Sequence, residues 1–147
     1  MTPDEMVEGF LRHRRATQAI ARLMPDERFD DHPWEGGRSF GELLLHIVDS
    51  ADAMLGGAAG QPVEPPAERP STPAAIRAYL EARTPAQETL VRALAADPRG
   101  EVRWRDAALP AEVLLARARE HEAHHKGQLM LLARMAGVRE AMFYVAT

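Results

Sequence analysis

Four segments of the sequence carry apolar side chains at every third or fourth position, which is the spacing of one face of an α-helix. The strings TPDE at 2–5 and SFGE at 39–42 are capping boxes that open the first two segments. Thr72, followed by a proline, and Pro110 open the other two. Because convincing strands are almost absent between these segments, the sequence predicts an all-α protein, a four-helix bundle in which the apolar faces are buried against one another.

A segment rich in proline and glycine, GGAAGQPVEPPAERPS at 56–71, separates the second helix from the third. It offers little to bury, and too little chain lies on either side of it for two separate cores. We therefore interpret it as a long exposed crossover, which would let helices two and three run in the same direction. We expect residues 1–147 to form a single domain.

Three further features concern the third helix, the linker after it and the end of the chain. Pro85, inside the string TPAQ at 84–87, repeats a capping signature within the third helix and predicts a kink or a break there. The linker at 97–109 could hold a short extended piece, and the last helix should run to about Gly137. The apolar tail AMFYVAT should lie against the bundle or against a partner chain, which makes a homodimer plausible.

Composition and charge exclude several classes of protein. The chain has no cysteine, which rules out disulfides, thiolate metal ligands and a sulfur nucleophile of its own. The net charge of −4 argues against a nucleic-acid partner, and we interpret RHRR at 12–15 as a solvated surface because arginines so spaced spread around a helix. No apolar run is long enough to span a bilayer, and the N-terminus has acids where a secretory signal has bases. We therefore expect a cytoplasmic protein with no membrane partner.

The string HEAHHKGQL at 121–129 holds three of the six histidines of the chain. His121 and His125 fall within the apolar stripe of the last helix, one turn apart, and so should face the core. Two unpaired polar rings buried together would cost about 1–3 kcal/mol each, so each ring needs a partner. A metal ion is the favoured partner, and hydrogen bonds from neighbouring helices are the alternative. His124 lies at the flank, where it would support the site or remain on the surface.

His46 is the best candidate for a third ligand, because it lies at the edge of the apolar face of the second helix. Glu42 and Asp49, each about one turn away, offer a carboxylate to hold its second ring nitrogen. The alternative is a boundary histidine that is simply hydrogen-bonded to Asp49. His13 is a weaker inward candidate, and His32 is expected to cap or decorate a loop.

Residues 121–125 also satisfy HExxH, the pattern in which zinc proteases place two ligands and a glutamate base. The residues after His125 offer no convincing third ligand, since Glu140 lies too near and no further histidine follows. A protease of this class normally also has a sheet edge that aligns the substrate. We therefore set the protease interpretation aside.

The strings SFGELLLHIVDS and HEAHHKGQL, the second followed by ARMAGV, resemble in order and spacing the two signatures of the DinB-like, or YfiT-like, metal-binding four-helix bundles. The resemblance implies a divalent ion bound by His46, His121 and His125, with water completing its coordination. It also implies a transferase or isomerase that depends on mycothiol, bacillithiol or a similar small thiol, or else a hydrolase. Pro85 departs from the family pattern, in which the third helix usually reads continuously.

Three neutral imidazoles would leave the ion its full charge, the arrangement that makes a water or a thiol acidic. Zinc is the first expectation, with nickel, iron or manganese possible. A small-molecule substrate is expected, and any sulfur nucleophile must be a thiol cosubstrate because the chain has no cysteine. The opposing hypothesis is a non-catalytic bundle that binds metal or a small ligand in a stress response.

Some polar residues are left without an assigned role. Gln128 could orient water or substrate, or could make a packing hydrogen bond. Four arginines could recognise a carboxylated substrate at the mouth of the bundle, but nothing in their spacing singles one out. These are Arg12, Arg14, Arg15 and Arg119.

Overall fold

The computed structural model describes residues 1–139, and the predictions made for the tail AMFYVAT lie outside this range. Within it the chain forms four α-helices, one short 3₁₀ turn at Asp26–Arg28 and one small hairpin. In chain order the elements are α1 (Pro3–Leu23), α2 (Phe40–Ala58), α3 (Pro73–Ala95), β1 (Glu101–Trp104), β2 (Ala107–Pro110) and α4 (Ala111–Met135). The predicted four-helix bundle is confirmed.

The helices begin where the capping signals predict. The Thr2 hydroxyl accepts a hydrogen bond from the Glu5 amide at 3.2 Å, while the Glu5 carboxylate accepts one from the Thr2 amide at 2.7 Å. Ser39 and Glu42 form the same reciprocal pair at the start of α2. These bonds satisfy amides that have no partner within the helix.

Two apolar clusters fill the bundle, one near each end, and they fix the helix directions. The first cluster joins the end of α1, the beginnings of α2 and α3, and the end of α4. The second joins the beginning of α1, the ends of α2 and α3, and the beginning of α4. Helices α1 and α4 therefore run one way, and α2 and α3 the other. The crossover at 59–72, exposed over most of its length, provides the return path that two consecutive parallel helices require.

Helix α3 continues through Pro85 without a break, so of the two alternatives predicted there the break is wrong. Proline removes one backbone donor from the helix, but contacts on both sides of it outweigh that loss. Five residues before it Leu80 is buried, and five residues after it Leu90 is buried. The Thr84 hydroxyl also donates to the Leu80 carbonyl at 2.7 Å. The wall that α3 contributes to the bundle is thus continuous.

The linker between α3 and α4 folds into a two-stranded antiparallel hairpin in which Glu101 pairs with Pro110 and Trp104 with Ala107. Its inner side packs on the second apolar cluster through Val102, Trp104 and Leu109. The hairpin therefore closes the end of the bundle that holds the start of α4. It accounts for the extended piece expected in this linker.

A layer of buried polar side chains lies between the two apolar clusters, and Arg14 of α1 is at its centre. Arg14 is 0% exposed, which contradicts the solvated surface predicted for RHRR. Its guanidinium pairs with the Glu122 carboxylate of α4, with an Nε to Oε1 distance of 3.1 Å, and also donates to Thr84 and Gln87 of α3. The prediction failed because the basic run straddles the helix: Arg12 and Arg15 are exposed, while Arg14 points inward.

The same layer extends to α2 through the Gln87 amide. Its nitrogen donates to the Val48 carbonyl at 3.0 Å and to the Asp52 carboxylate at 2.9 Å. Arg83 makes a two-pronged ion pair with the same Asp52, at 3.0 and 2.9 Å. One connected set of hydrogen bonds therefore joins all four helices at mid-height, and partly satisfied buried charges would be costly there.

Replacing Glu122 by alanine should lower the free energy of unfolding by about 3–5 kcal/mol, because the buried Arg14 charge then lacks its carboxylate. The matched control is Glu8→Ala, which removes the partner of Arg15 from a pair whose side chains are each 58% exposed. That loss should stay below about 1 kcal/mol. Urea unfolding followed by circular dichroism measures both, and equal losses would contradict a special role for the buried pair.

Candidate metal centre

His46 of α2 meets His121 and His125 of α4 where these two helices pack together. The ring centroids are 5.1 Å apart for His46 and His121, 4.7 Å for His46 and His125, and 4.4 Å for His121 and His125. One nitrogen from each ring lies within 4.8 Å of the others, so the cluster could hold a metal ion. The four-residue spacing along α4 puts its two rings on one face, as the sequence predicts.

The second nitrogen of His46 is held by a hydroxyl, and the carboxylate predicted for this role is wrong. Ser50 lies one turn along α2, with its Oγ 3.3 Å from His46 Nδ1. The two acids are engaged elsewhere: Glu42 completes the helix cap, and Asp49 accepts from Tyr79 and Arg69 at 2.9 and 2.6 Å. A serine four residues after a histidine was the available sequence signal, because the two share a helix face.

Gln128 holds the second nitrogen of His125. Its side-chain oxygen lies 2.7 Å from His125 Nδ1 and can only accept, so Nδ1 carries the proton and Nε2 presents a lone pair. That lone pair faces His46 Nε2 at 3.1 Å. Gln128 therefore orients a ring of the cluster, a role more specific than the two that the sequence left open.

Burial keeps the three rings neutral near neutral pH. The pKa of His121 is lowered to about 4, first by burial and then by the neighbouring His125 and His46. Burial is also the main cause that lowers the pKa values of His46 and His125. The exposed Arg38, which the sequence did not single out, contributes to all three shifts through its positive charge. Neutral imidazole is the form that binds metals.

The other three histidines lie outside the cluster. His124 is exposed, and its ring meets the edge of the His125 ring at a centroid distance of 4.8 Å, in keeping with its predicted flanking position. His32 contacts the Gly37 carbonyl through Nδ1 at 2.6 Å, within its loop. His13 points inward as predicted, but toward Lys126 Nζ at 3.0 Å and not toward the cluster.

Glu122, the acid of the HExxH string, is committed to Arg14. It is 1% exposed, and both of its carboxylate oxygens accept from the guanidinium. A carboxylate so engaged is not free to act as a general base. Its place in the bundle core agrees with setting the protease interpretation aside.

Together these features define a helical bundle with a cluster of three neutral imidazoles, drawn from two helices, that could hold a metal ion. The DinB superfamily profile matches residues 10–129, so the chain belongs to the DinB superfamily. The family expected from the two sequence strings is therefore confirmed. No helix within residues 1–139 is long and apolar enough to cross a membrane.

Relatives share this fold over nearly their whole length. The chain is 29% identical over 147 residues to the uncharacterized protein YjoA of Bacillus subtilis, covering 96% of this chain and 95% of that protein. A crystal structure of the DinB-like YjoA protein superposes with a TM-score of 0.76 at 24% identity, covering 90% of this chain and 92% of that one. A DinB-like protein from Bacillus cereus gives a TM-score of 0.74 at 21% identity, covering 91% and 92%.

His13 should make the metal-free protein sensitive to acid. Its pKa is lowered from 6.5 to about 4, first by burial and then by Lys126, Arg12 and Arg119. As the pH falls from 6.5 to about 4, the unfolded chain gains a proton that folded His13 does not, so stability present above pH 6.5 is lost across that window.

His13→Gln keeps an acceptor for Lys126 but cannot titrate. Melting temperatures measured in chelator across this window should fall less steeply for the variant than for the wild type. Some slope should remain because His121 titrates over the same range. Parallel curves would contradict the buried neutral state of His13.

Proposed function

We propose that this protein is a divalent-metal-dependent enzyme whose ion is bound by His46, His121 and His125. The observation that carries the proposal is the convergence of three neutral imidazoles, with their nitrogens within 4.8 Å of one another, at the α2–α4 contact. Two of the rings have their outer nitrogens held by Ser50 and Gln128. Such outer contacts commonly accompany metal-binding histidines and orient them.

The donor set suits a borderline metal. Nitrogens bound to one tetrahedral zinc ion lie about 3.3 Å apart, given zinc–nitrogen distances of about 2.0–2.1 Å. The 3.1 Å between His46 Nε2 and His125 Nε2 is close to that spacing. Zinc is the first candidate, and nickel, iron and manganese suit imidazole donors as well. When bound, such an ion supplies Lewis acidity that makes water or a thiol acidic.

The residues around the cluster prepare it to receive a cation. His125 already presents a free lone pair at Nε2, because Gln128 keeps its proton on Nδ1. His46 donates from Nε2 toward that lone pair, and must move its proton to Nδ1 before its own Nε2 can bind. The Ser50 hydroxyl beside Nδ1 can then turn and accept a hydrogen bond from the protonated Nδ1. The nearby Arg38 charge favours an anionic substrate or a thiolate.

We assign the reaction to transfer or isomerisation that uses a small thiol cosubstrate, or else to hydrolysis by water. The absence of cysteine requires that any sulfur nucleophile come from outside the chain. The proposed substrate is a small electrophilic molecule that the thiol or water attacks. A non-catalytic bundle that binds metal in a stress response would use the same three histidines, so activity is the property that separates the two.

A screen of metal-loaded protein with small thiols and electrophilic acceptors tests the enzymatic proposal. The wild type should transfer the thiol or hydrolyse an acceptor, and His125→Ala should lose at least about a hundredfold in rate because one of three ligands is gone. The control His124→Ala changes the adjacent exposed ring and should keep most of the activity. Absence of any reaction in a fully loaded wild type would contradict the enzyme proposal.

Gln128→Ala should weaken metal binding by about 10–100-fold, because the His125 ring loses the contact that fixes its orientation and tautomer. The control is Gln18→Ala, which removes a part-buried hydrogen bond of 3.1 Å to Glu81 between α1 and α3, away from the cluster. Competition with a chromophoric chelator measures both affinities. Equal affinities in the wild type and Gln128→Ala would contradict the orienting role.

A further inference from the structure

The groove between α1 and α4 presents a different set of groups on the other side of α4 from the histidine cluster. Arg119 and Lys126 are seven residues apart, so they lie on one side of the helix, facing α1. His121 and His125 project toward α2. The features of this groove therefore belong to a separate region of the surface.

Two adjoining cavities occupy this groove, and Met1 and Arg119 line both of them. The first, of about 330 Å³, has a mainly apolar wall. The second, of about 450 Å³, has a mixed wall that carries more charged side chains, among them Arg12. The first cavity is completed by Met6, Glu112, Val113, Leu115 and Ala116, and the second by Glu5, Glu8 and Gly9. A mainly apolar cavity and a more charged one thus share Arg119 in their walls.

The Arg119 side chain packs directly against Gly9 of α1. A β-carbon added at Gly9 would lie 3.3 Å from Cδ of Arg119. Within residues 1–139 Arg119 forms no ion pair with a carboxylate. Glu5 and Glu8, on the same wall, are committed to the Thr2 amide and to Arg15. Glu112 lies seven residues away along α4, or about 10 Å. The guanidinium at the junction of the two cavities therefore has no anion of its own in the described chain.

A second cation lies farther along the same side of α4. Lys126 is 5% exposed, and the group that contacts its ammonium is the neutral His13 ring, at 3.0 Å from Nζ to Nδ1. Glu122, one turn away, is already paired with Arg14. Arg12 adds a further positive charge close to His13. A buried ammonium without a carboxylate partner is unfavourable, so this part of the groove would gain from an added negative charge.

We propose that this groove is a binding site for a small amphipathic anion. Its carboxylate or phosphate would lie against Arg119, in the field of Arg12 and Lys126. Its aliphatic or aromatic part would fill the cavity lined by Met6, Leu115 and Ala116. The volume of about 330 Å³ is at the lower end of the range for small-molecule sites, which fits a chain of about eight carbons or one aromatic ring.

Titration calorimetry with octanoate and octanamide tests the site, because the two probes match in shape and differ in charge. Octanoate should bind at least about tenfold more tightly than octanamide, the difference expected from one charge-assisted contact. Arg119→Gln should remove that preference. Ala116→Phe, which fills the apolar cavity, should weaken both probes.

His125→Ala distinguishes this site from the histidine cluster, where a carboxylate could also bind through a metal. The variant should keep the binding of octanoate and its preference over octanamide. If octanoate does not bind, binds no better than octanamide, or binds Arg119→Gln as tightly as wild type, the proposal is wrong. Loss of binding in His125→Ala would likewise overturn it by moving the anion to the metal centre.

Discussion

The ion pair between Arg14 and Glu122 is the interaction on which the arrangement of the helices depends. Both charges are buried at mid-height of the bundle, where an unpaired charge is strongly unfavourable. The two charges meet only when α1 and α4 are rotated about their axes and aligned along their lengths in one particular way. The same guanidinium also requires that α3 bring Thr84 and Gln87 within hydrogen-bond distance. Apolar packing at the two ends supplies most of the stability, while this polar layer selects a single alignment.

That alignment determines where the histidines point. The pairing of Glu122 with Arg14 turns one face of α4 toward α1. His121 and His125 lie on another face of α4, which is thereby turned toward α2. Helix α2 presents His46 at the same height, and Asp52 of α2 is tied into the polar layer through Gln87. The core and the site are therefore coupled: the contacts that fix the rotation of α4 also bring three imidazoles together.

Much of the fold could be predicted from the sequence because the responsible interactions are local. Capping boxes, apolar periodicity and a proline-rich crossover are sequence patterns that lie within a few residues of the structural feature they determine. The i, i+4 pair on α4 is local too, and His46 could be proposed from its place on an apolar face. The break predicted at Pro85 is absent, because contacts with the other helices hold α3 together on both sides of the proline.

The polar network and the groove could not be predicted in the same way. Arg14 resembles its neighbours in a basic run, and its burial follows from Glu122, which lies 108 residues away in the chain. The pairing of His13 with Lys126 spans 113 residues. Ser50 lies one turn from His46, but so do Glu42 and Asp49, which are stronger partners for a histidine, and only the tertiary structure shows that both carboxylates are used elsewhere. The contacts of Arg14 and of His13 depend on tertiary structure and leave no periodic trace in the sequence.

The most direct test of the account is the metal content of protein purified without an affinity tag, measured by elemental analysis. The wild type should contain about one divalent ion per chain, because three imidazoles form one site. His46→Ala should lose most of it, whereas His124→Ala should retain it. A wild type without metal, even after incubation with zinc, nickel, iron or manganese, would contradict the account, and so would full occupancy in His46→Ala.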